Sequence, residues 1–278
     1  MPFVTVNETK LFYETVGQGE PCIVLHGGFG FDHAYLKPWL DPLAKHFRLI
    51  YLDQRGHGRS ERTEPDQVTL HQLAEDLEAL RLQWDMPSLS LLGQSVGAAV
   101  ALEYALRWPT NLSRLMLITP VWKRLFGPSS LEHAERKGAT PEMLALLALN
   151  GPLTDDQFRE GFRMIAPLYF HRFDAELFDK LCSGIRYDAA LLGRTVPALA
   201  DAQLARRLHR LSCPGLILAG DDDFACPVSD AQELAKKAGL PLTIIPGTGH
   251  FPYAENPSAF FQRIEEWLHR LPFSKLVE

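Results

Sequence analysis

A chain of 278 residues, 46% of them hydrophobic, is long enough to bury one large core or two modest ones, so extended disorder is not expected. Lys and Arg number 28 against 34 Asp and Glu, a net charge of −6, with no basic run beyond pairs such as Lys236-Lys237 and Arg206-Arg207, which excludes the footprint of a nucleic-acid or anionic-membrane binder. No window approaches the roughly 18 uninterrupted apolar residues of a membrane span, and residues 1–17 have neither a basic start nor an apolar signal core, so a soluble, cytoplasmic protein is expected.

In chain order, residues 3–6 and 11–16 alternate apolar and polar side chains around Asn7-Glu8-Thr9, the pattern of an antiparallel hairpin. Short continuous apolar runs then recur at 22–25, 47–52, 89–92, 114–118, 215–219 and 242–245. Runs of that kind predict strands buried on both faces, hence a parallel sheet. Between them, Leu70, Leu73, Leu77 and Leu80 share one helix face behind Thr69 and Gln72, which are spaced as a capping box. The alanine-rich 96–108 stops at Pro109, and 231–238 and 259–268 supply two later helices. From 121 to 211 helical stretches punctuated by proline replace the strands. The expected architecture is a mostly parallel, doubly wound α/β sheet with an N-terminal antiparallel hairpin. Residues 1–120 and 212–278 form its core, and a helical cap, 121–211, is inserted after the sixth strand.

Ligands of open parallel sheets bind beyond the carboxyl ends of the strands. After 89–92 comes Gly93-Gln94-Ser95-Val96-Gly97, a G-x-S-x-G between strand and helix, which places a serine on a tight turn with its hydroxyl toward the cleft. Taken alone, the pattern also fits a serine that merely caps a helix. The next-to-last strand is followed by Gly220-Asp221-Asp222-Asp223 and the last by Gly247-Thr248-Gly249-His250. A serine hydroxyl needs an imidazole to take its proton, and the imidazole needs a carboxylate to fix its tautomer; Ser95, one of three aspartates and His250 supply these parts. The four cysteines, Cys22, Cys182, Cys213 and Cys226, form no C-x-x-C pair and show no metal spacing, so reduced thiols and no metal site are expected.

With these motifs the sequence resembles the α/β-hydrolase family over nearly its whole length. The resemblance implies a nucleophile elbow at Ser95, and the family's G-x-x-D pattern places the acid on Asp223, leaving Asp221 and Asp222 as loop caps or solvated charge. It also implies His250 as the base, in the context of Phe251-Pro252 and Glu255-Asn256-Pro257. The oxyanion hole is expected from the N–H of Val96 and that of Gly28, with Phe29 the neighbouring possibility, while His26 braces the loop. His26-Gly27-Gly28-Phe29-Gly30 is similar to the HGGPG of proline iminopeptidases (prolyl aminopeptidases), and Asp53-Gln54-Arg55-Gly56-His57-Gly58-Arg59-Ser60 to their DQRGxGRS. Asp53 and Arg55 are expected as a structural ion pair, with Gln54 the more peptidase-like detail.

Departures accompany the likeness: Phe29 replaces proline, Val96 stands where those peptidases carry tryptophan, and the cap lacks their tryptophan- and glutamate-rich stretch. The expectation is a proline iminopeptidase-related serine hydrolase that cleaves a small acyl substrate, amide or ester, through an acyl-enzyme. A carboxylesterase or lactonase is the alternative, with carbon–carbon bond hydrolases and a non-catalytic small-molecule receptor further off. An aminopeptidase needs cap carboxylates for a buried ammonium, for which Glu160, Asp174, Glu176 and Asp188 are the candidates. An esterase pocket would draw instead on the aromatic stretch 162–173, including Tyr169 and Phe170. No cofactor is expected. The expected partner is a small-molecule substrate, with no nucleic acid or membrane, and the chain is expected as a monomer or small homo-oligomer.

Overall fold

The hairpin opens the fold: β1 (Phe3–Val6) and β2 (Thr9–Val16) pair antiparallel across Asn7 and Glu8, whose φ values of 45° and 61° make a two-residue turn with both central residues left-handed. The computed structural model describes residues 2–148 and 153–271, so part of the expected cap segment and the end of the expected core segment, 272–278, lie outside the described residues. After the hairpin, β3 (Pro21–Leu25) and β4 (Arg48–Leu52) lead to α1 (Leu70–Gln83), β5 (Leu89–Gln94), α2 (Val96–Arg107) and β6 (Leu112–Ile118). Among the described residues, seven α-helices follow before the next strand: α3 (Pro128–Arg136), α4 (Pro141–Ala148), α5 (Asp155–Tyr169), α6 (Ala175–Cys182), α7 (Ala189–Leu192), α8 (Thr195–Ala202) and α9 (Leu204–Arg207). The chain then adds β7 (Gly215–Gly220), α10 (Val228–Ala238), β8 (Leu242–Ile245), α11 (Pro252–Glu255) and α12 (Pro257–Arg270).

The eight strands form one sheet in the order β1-β2-β4-β3-β5-β6-β7-β8. The first two pairings are antiparallel and the rest parallel. Successive residues of the central strands point to opposite faces and are buried on both: Ile23, Leu25 and Leu91 join the cluster that includes α1, α2 and α7–α9, while Cys22, Val24 and Leu92 join the one that includes α12 and helices α3, α5 and α6 of the insertion. That two-sided burial is why the strands read as continuous apolar runs rather than alternating ones.

One local expectation is corrected. Thr69 accepts the Gln72 N–H at 3.0 Å, but the Gln72 side chain donates to Asp76 Oδ1 at 3.1 Å instead of returning to Thr69, so the box is half formed. A reciprocal box does form at Thr154 and Gln157, at the start of α5. Among the described residues no helix is long and apolar enough to cross a membrane.

Candidate active site

At the end of β5 the chain turns sharply, and Ser95 takes φ 54° and ψ −120°. Its N–H donates to Ile118 O at 2.9 Å and its carbonyl accepts from Ala98 and Val121 at 3.0 Å each, while its side chain makes no capping bond to α2. The hydroxyl is therefore not a helix cap. Crowding explains the flanking glycines: a Cβ on Gly93 would meet the Gly97 carbonyl, and one on Gly97 would meet the carbonyls of Leu25 and His26. A Cβ on Gly27, in the facing loop, would meet Ser95 itself.

Three strands away, in the loop after β8, His250 has its Nδ1 2.9 Å from Asp223 Oδ2. An ionised carboxylate only accepts, so Nδ1 carries the proton and Nε2 is left as the basic nitrogen. Asp223 is fully buried, and its Oδ1 accepts the N–H groups of Ala225 at 2.9 Å and Cys226 at 3.0 Å. The other two aspartates hold loops. Asp221 accepts from Gly247 and Thr248 at 3.0 and 3.1 Å, and Asp222 binds His133 Nε2 at 2.9 Å and Lys137 Nζ at 2.5 Å. Burial pushes the Asp222 carboxyl up, but Lys137 and His133 outweigh it and hold the group below its usual range. Ser95 and His250 share one cavity wall without a hydrogen bond joining their side chains, an arrangement that substrate commonly tightens.

Asp223, Cys226 and His250 place one ligand atom each within 4.8 Å of one another. Those atoms are already committed: the Cys226 thiol donates to Thr119 O at 2.8 Å, and burial pushes it well above the usual thiol range. The cluster therefore reads as a hydrogen-bonded brace for the acid loop.

Gly28, at φ 51°, and Val96, the first residue of α2, both line the cavity, whereas the Phe29 side chain turns into the core, edge-on to His57 at 5.4 Å. His26 holds the loop: its Nδ1 lies 3.0 Å from Gly27 O, and its Nε2 accepts the Gln54 N–H at 3.3 Å. Burial drives its pKa down to about 4, which keeps the ring neutral. The expected Asp53–Arg55 ion pair is corrected. Asp53 faces His33, with Nδ1 at 2.5 Å from Oδ1, and Arg55 forks onto Asp76 with both bonds at 2.7 Å. Each side chain finds a partner remote in sequence instead.

The cavity holds about 560 Å³. The insertion supplies an apolar roof that includes Phe158, Phe162, Ile165 and Tyr169, and Phe31 and Tyr35 join it from the loop after β3. Among the described residues no Lys or Arg lines it; its carboxylates are Asp156 and Glu160, whose side chains are 81% and 71% exposed and flank Arg159 at the rim. Of the residues expected to touch substrate, Tyr169 and Glu160 lie on the wall and Phe170 and Asp174 do not. The chain becomes extended just after α5, so Phe170 packs against Phe173, Phe178 and Phe251, and Asp174 caps α6 by accepting the Leu177 N–H at 3.1 Å. Glu176 pairs with Lys180 at 2.8 Å, and Asp188 pairs with Arg62 and caps α7. Asp156, Phe31 and Tyr35 are wall residues that no sequence motif marks, and Gln94 is a wall residue at the variable position before Ser95 in the G-x-S-x-G motif.

Among known proteins, a proline iminopeptidase of Pestalotiopsis fici is 26% identical over 280 residues, covering 96% of this chain and 99% of its own. A proline iminopeptidase-related protein from Thermus thermophilus has a solved structure 27% identical, with a TM-score of 0.76 and 96% of both chains covered. A thermophilic esterase from Thermogutta terrifontis is 26% identical with a TM-score of 0.68, again over 96% of both chains. The model of the alpha/beta hydrolase family matches residues 22–263; the chain belongs to the alpha/beta hydrolase family.

Proposed function

We propose that the protein is a serine hydrolase of small, uncharged, largely apolar acyl substrates, esters above all, acting through an acyl-enzyme on Ser95. His250 Nε2 takes the proton of Ser95 Oγ as the oxygen attacks the carbonyl, then returns it to the leaving group, and in the second half activates water against the ester of Ser95. Asp223 keeps Nδ1 protonated and stabilises the cation formed at each transfer. The N–H groups of Gly28 and Val96 face the oxygen on which charge develops; in hydrolases of this kind one such donor is worth on the order of 10²–10³ in rate. The segment 121–211 serves as the cap that selects the substrate.

The observation that carries the ester reading is the lining of the cavity. An apolar enclosure with its carboxylates out at the rim favours neutral groups, and a buried ammonium or carboxylate without a partner would cost several kcal/mol. Asp156 and Glu160 on the rim support one other reading, an aminopeptidase that holds a substrate ammonium at the cavity mouth.

The two separate in kcat/KM for p-nitrophenyl butyrate and for proline p-nitroanilide, with Ser95→Ala as the blank. Serine-dependent ester turnover with a silent anilide is the expected result. Anilide cleavage well above that of alanine p-nitroanilide, and lost in Glu160→Gln, would replace the ester reading with the peptidase one.

A further inference from the structure

One hydrogen-bonded chain crosses the floor of the cavity. The Gly27 N–H donates to Tyr35 Oη at 2.6 Å, and Tyr35 Oη donates to Gln94 Oε1 at 2.7 Å. Gln94 Nε2 donates to Thr119 Oγ1 at 3.1 Å and to the His250 carbonyl at 3.4 Å, which also accepts from Thr119 Oγ1 at 3.2 Å. Tyr35, Gln94 and Thr119 are 5%, 1% and 0% exposed, so water does not compete for these bonds. Their polarity is forced. Burial keeps the phenol protonated, and an amide nitrogen cannot accept, so Tyr35 must donate to Oε1. Turning the Gln94 amide over would aim its oxygen at the His250 carbonyl and leave the phenol proton without an acceptor. A single arrangement satisfies every member, and a chain of that kind is stiff.

The chain begins at the residue beside Gly28, passes through the one before Ser95 and ends on the main chain of His250. We propose that Tyr35 and Gln94 are positioning residues that set the distances among the Gly28 N–H, Ser95 Oγ and His250 Nε2. This rests on the serine hydrolase reading. A core has no need of polar atoms here, since phenylalanine would fill the same space between Phe31 and Phe251, which flank Tyr35 at 6.2 and 6.3 Å. Removing the phenol oxygen strands the Gly27 N–H and Gln94 Oε1 in a dry site, and they regain partners only if the loop moves. Movement of that kind acts on the transition state, where small misplacements are costly, more than on substrate binding.

The test compares wild type, Tyr35→Phe, Gln94→Met and the double variant. It measures kcat and KM for p-nitrophenyl butyrate, Ki for a trifluoromethyl ketone and the rate of Ser95 labelling by a fluorophosphonate. Tyr253→Phe is the control, because its buried hydroxyl has no partner among the described residues. The expected result is a fall in kcat on the order of 10- to 100-fold in each single variant, with KM within a factor of a few. Ketone binding and labelling should weaken in step, the double variant should be no worse than either single one, and Tyr253→Phe should match wild type. A Tyr35→Phe or Gln94→Met enzyme with lowered Tm and unchanged kcat and ketone affinity would overturn the proposal and leave the hydrolase reading standing. A folded wild type that neither turns over ester nor takes the phosphonate would overturn both.

Discussion

Ser95 sits at φ 54° and ψ −120°, a backbone conformation that a residue with a Cβ occupies at a cost of about 1–3 kcal/mol. The strain is confined to the residue whose hydroxyl must project into the cavity, which implies a measurable trade. Ser95→Gly should unfold at higher temperature than Ser95→Ala, by about 1 kcal/mol, although glycine ordinarily costs stability relative to alanine. Thermal unfolding of the two inactive variants checks this, and an alanine variant at least as stable would show the turn to be unstrained. The same turn was readable from the chain because its constraint is local: glycines two residues either side of a serine, between a strand and a helix, leave few other geometries. Tyr35 and Asp156 were not readable. A tyrosine in a single helical turn and an aspartate in the first turn of a helix look the same in sequence whether or not a cavity opens beside them. The partners of Asp53 and Arg55 were hidden for a related reason, since His33 and Asp76 come from segments that only the folded sheet brings near.

Among the elements, the central parallel strands were legible because burial on both faces leaves an apolar run that loops cannot imitate, and the observed limits of all the parallel strands lie within a few residues of the expected ones. The roof was legible only as a helical region. The stretch 162–173 looks uniformly aromatic, but α5 ends at Tyr169 and the backbone turn sends Phe170 to the core, a division that depends on where the helix stops. At that junction the insertion meets the histidine loop through Glu255 of α11. Its Oε1 accepts the Gly249 N–H at 2.9 Å and the Phe251 N–H at 3.3 Å, on either side of His250, and its Oε2 accepts the His171 N–H at 2.7 Å. Burial pushes this carboxyl above its usual range even against the three donors. Glu255→Ala strands the Gly249 and Phe251 N–H groups, leaving that of His171 to solvent, and should cost about 2–4 kcal/mol together with much of the activity, whereas Glu255→Gln keeps the acceptor beside His250 and should lose less of both. Denaturant unfolding and ester turnover on the pair check this, and equal behaviour of the two variants would show that the clamp is not held through the acceptor.

For the molecule as a whole, the response to acid is set by groups with no part in the proposed chemistry. His26 and His57 are buried and neutral, with pKa values driven down to about 4 and about 3, chiefly by burial and, for His57, next by the neighbouring His26. Both would titrate near 6.5 once unfolded. Because the folded pKa values are the lower ones, protons bind the unfolded chain first as the pH falls. The stability these rings permit is complete above about 6.5 and is lost toward 4 and 3, at up to about 1.4 kcal/mol per pH unit for each ring. Asp222 and Glu78, whose carboxyls are held below their usual range, add a loss of the same sign, but only from about pH 4 downward. Asp32 and Glu255 work in the opposite sense, since burial raises their carboxyls and the folded state then gains as they protonate. The histidine contribution must therefore be read as a difference. His57→Asn keeps an N–H donor for the Arg55 carbonyl, which lies 2.7 Å from Nδ1, and removes the titrating ring. The gap in unfolding free energy between wild type and this variant should narrow by about 1.4 kcal/mol for each pH unit from 6 to 4, and urea unfolding at pH 7, 6, 5 and 4 measures it. A gap that stays constant with pH would mean that His57 takes up its proton in the folded protein as readily as in the unfolded chain, and that the loop behind Gly27 and Gly28 is open to water.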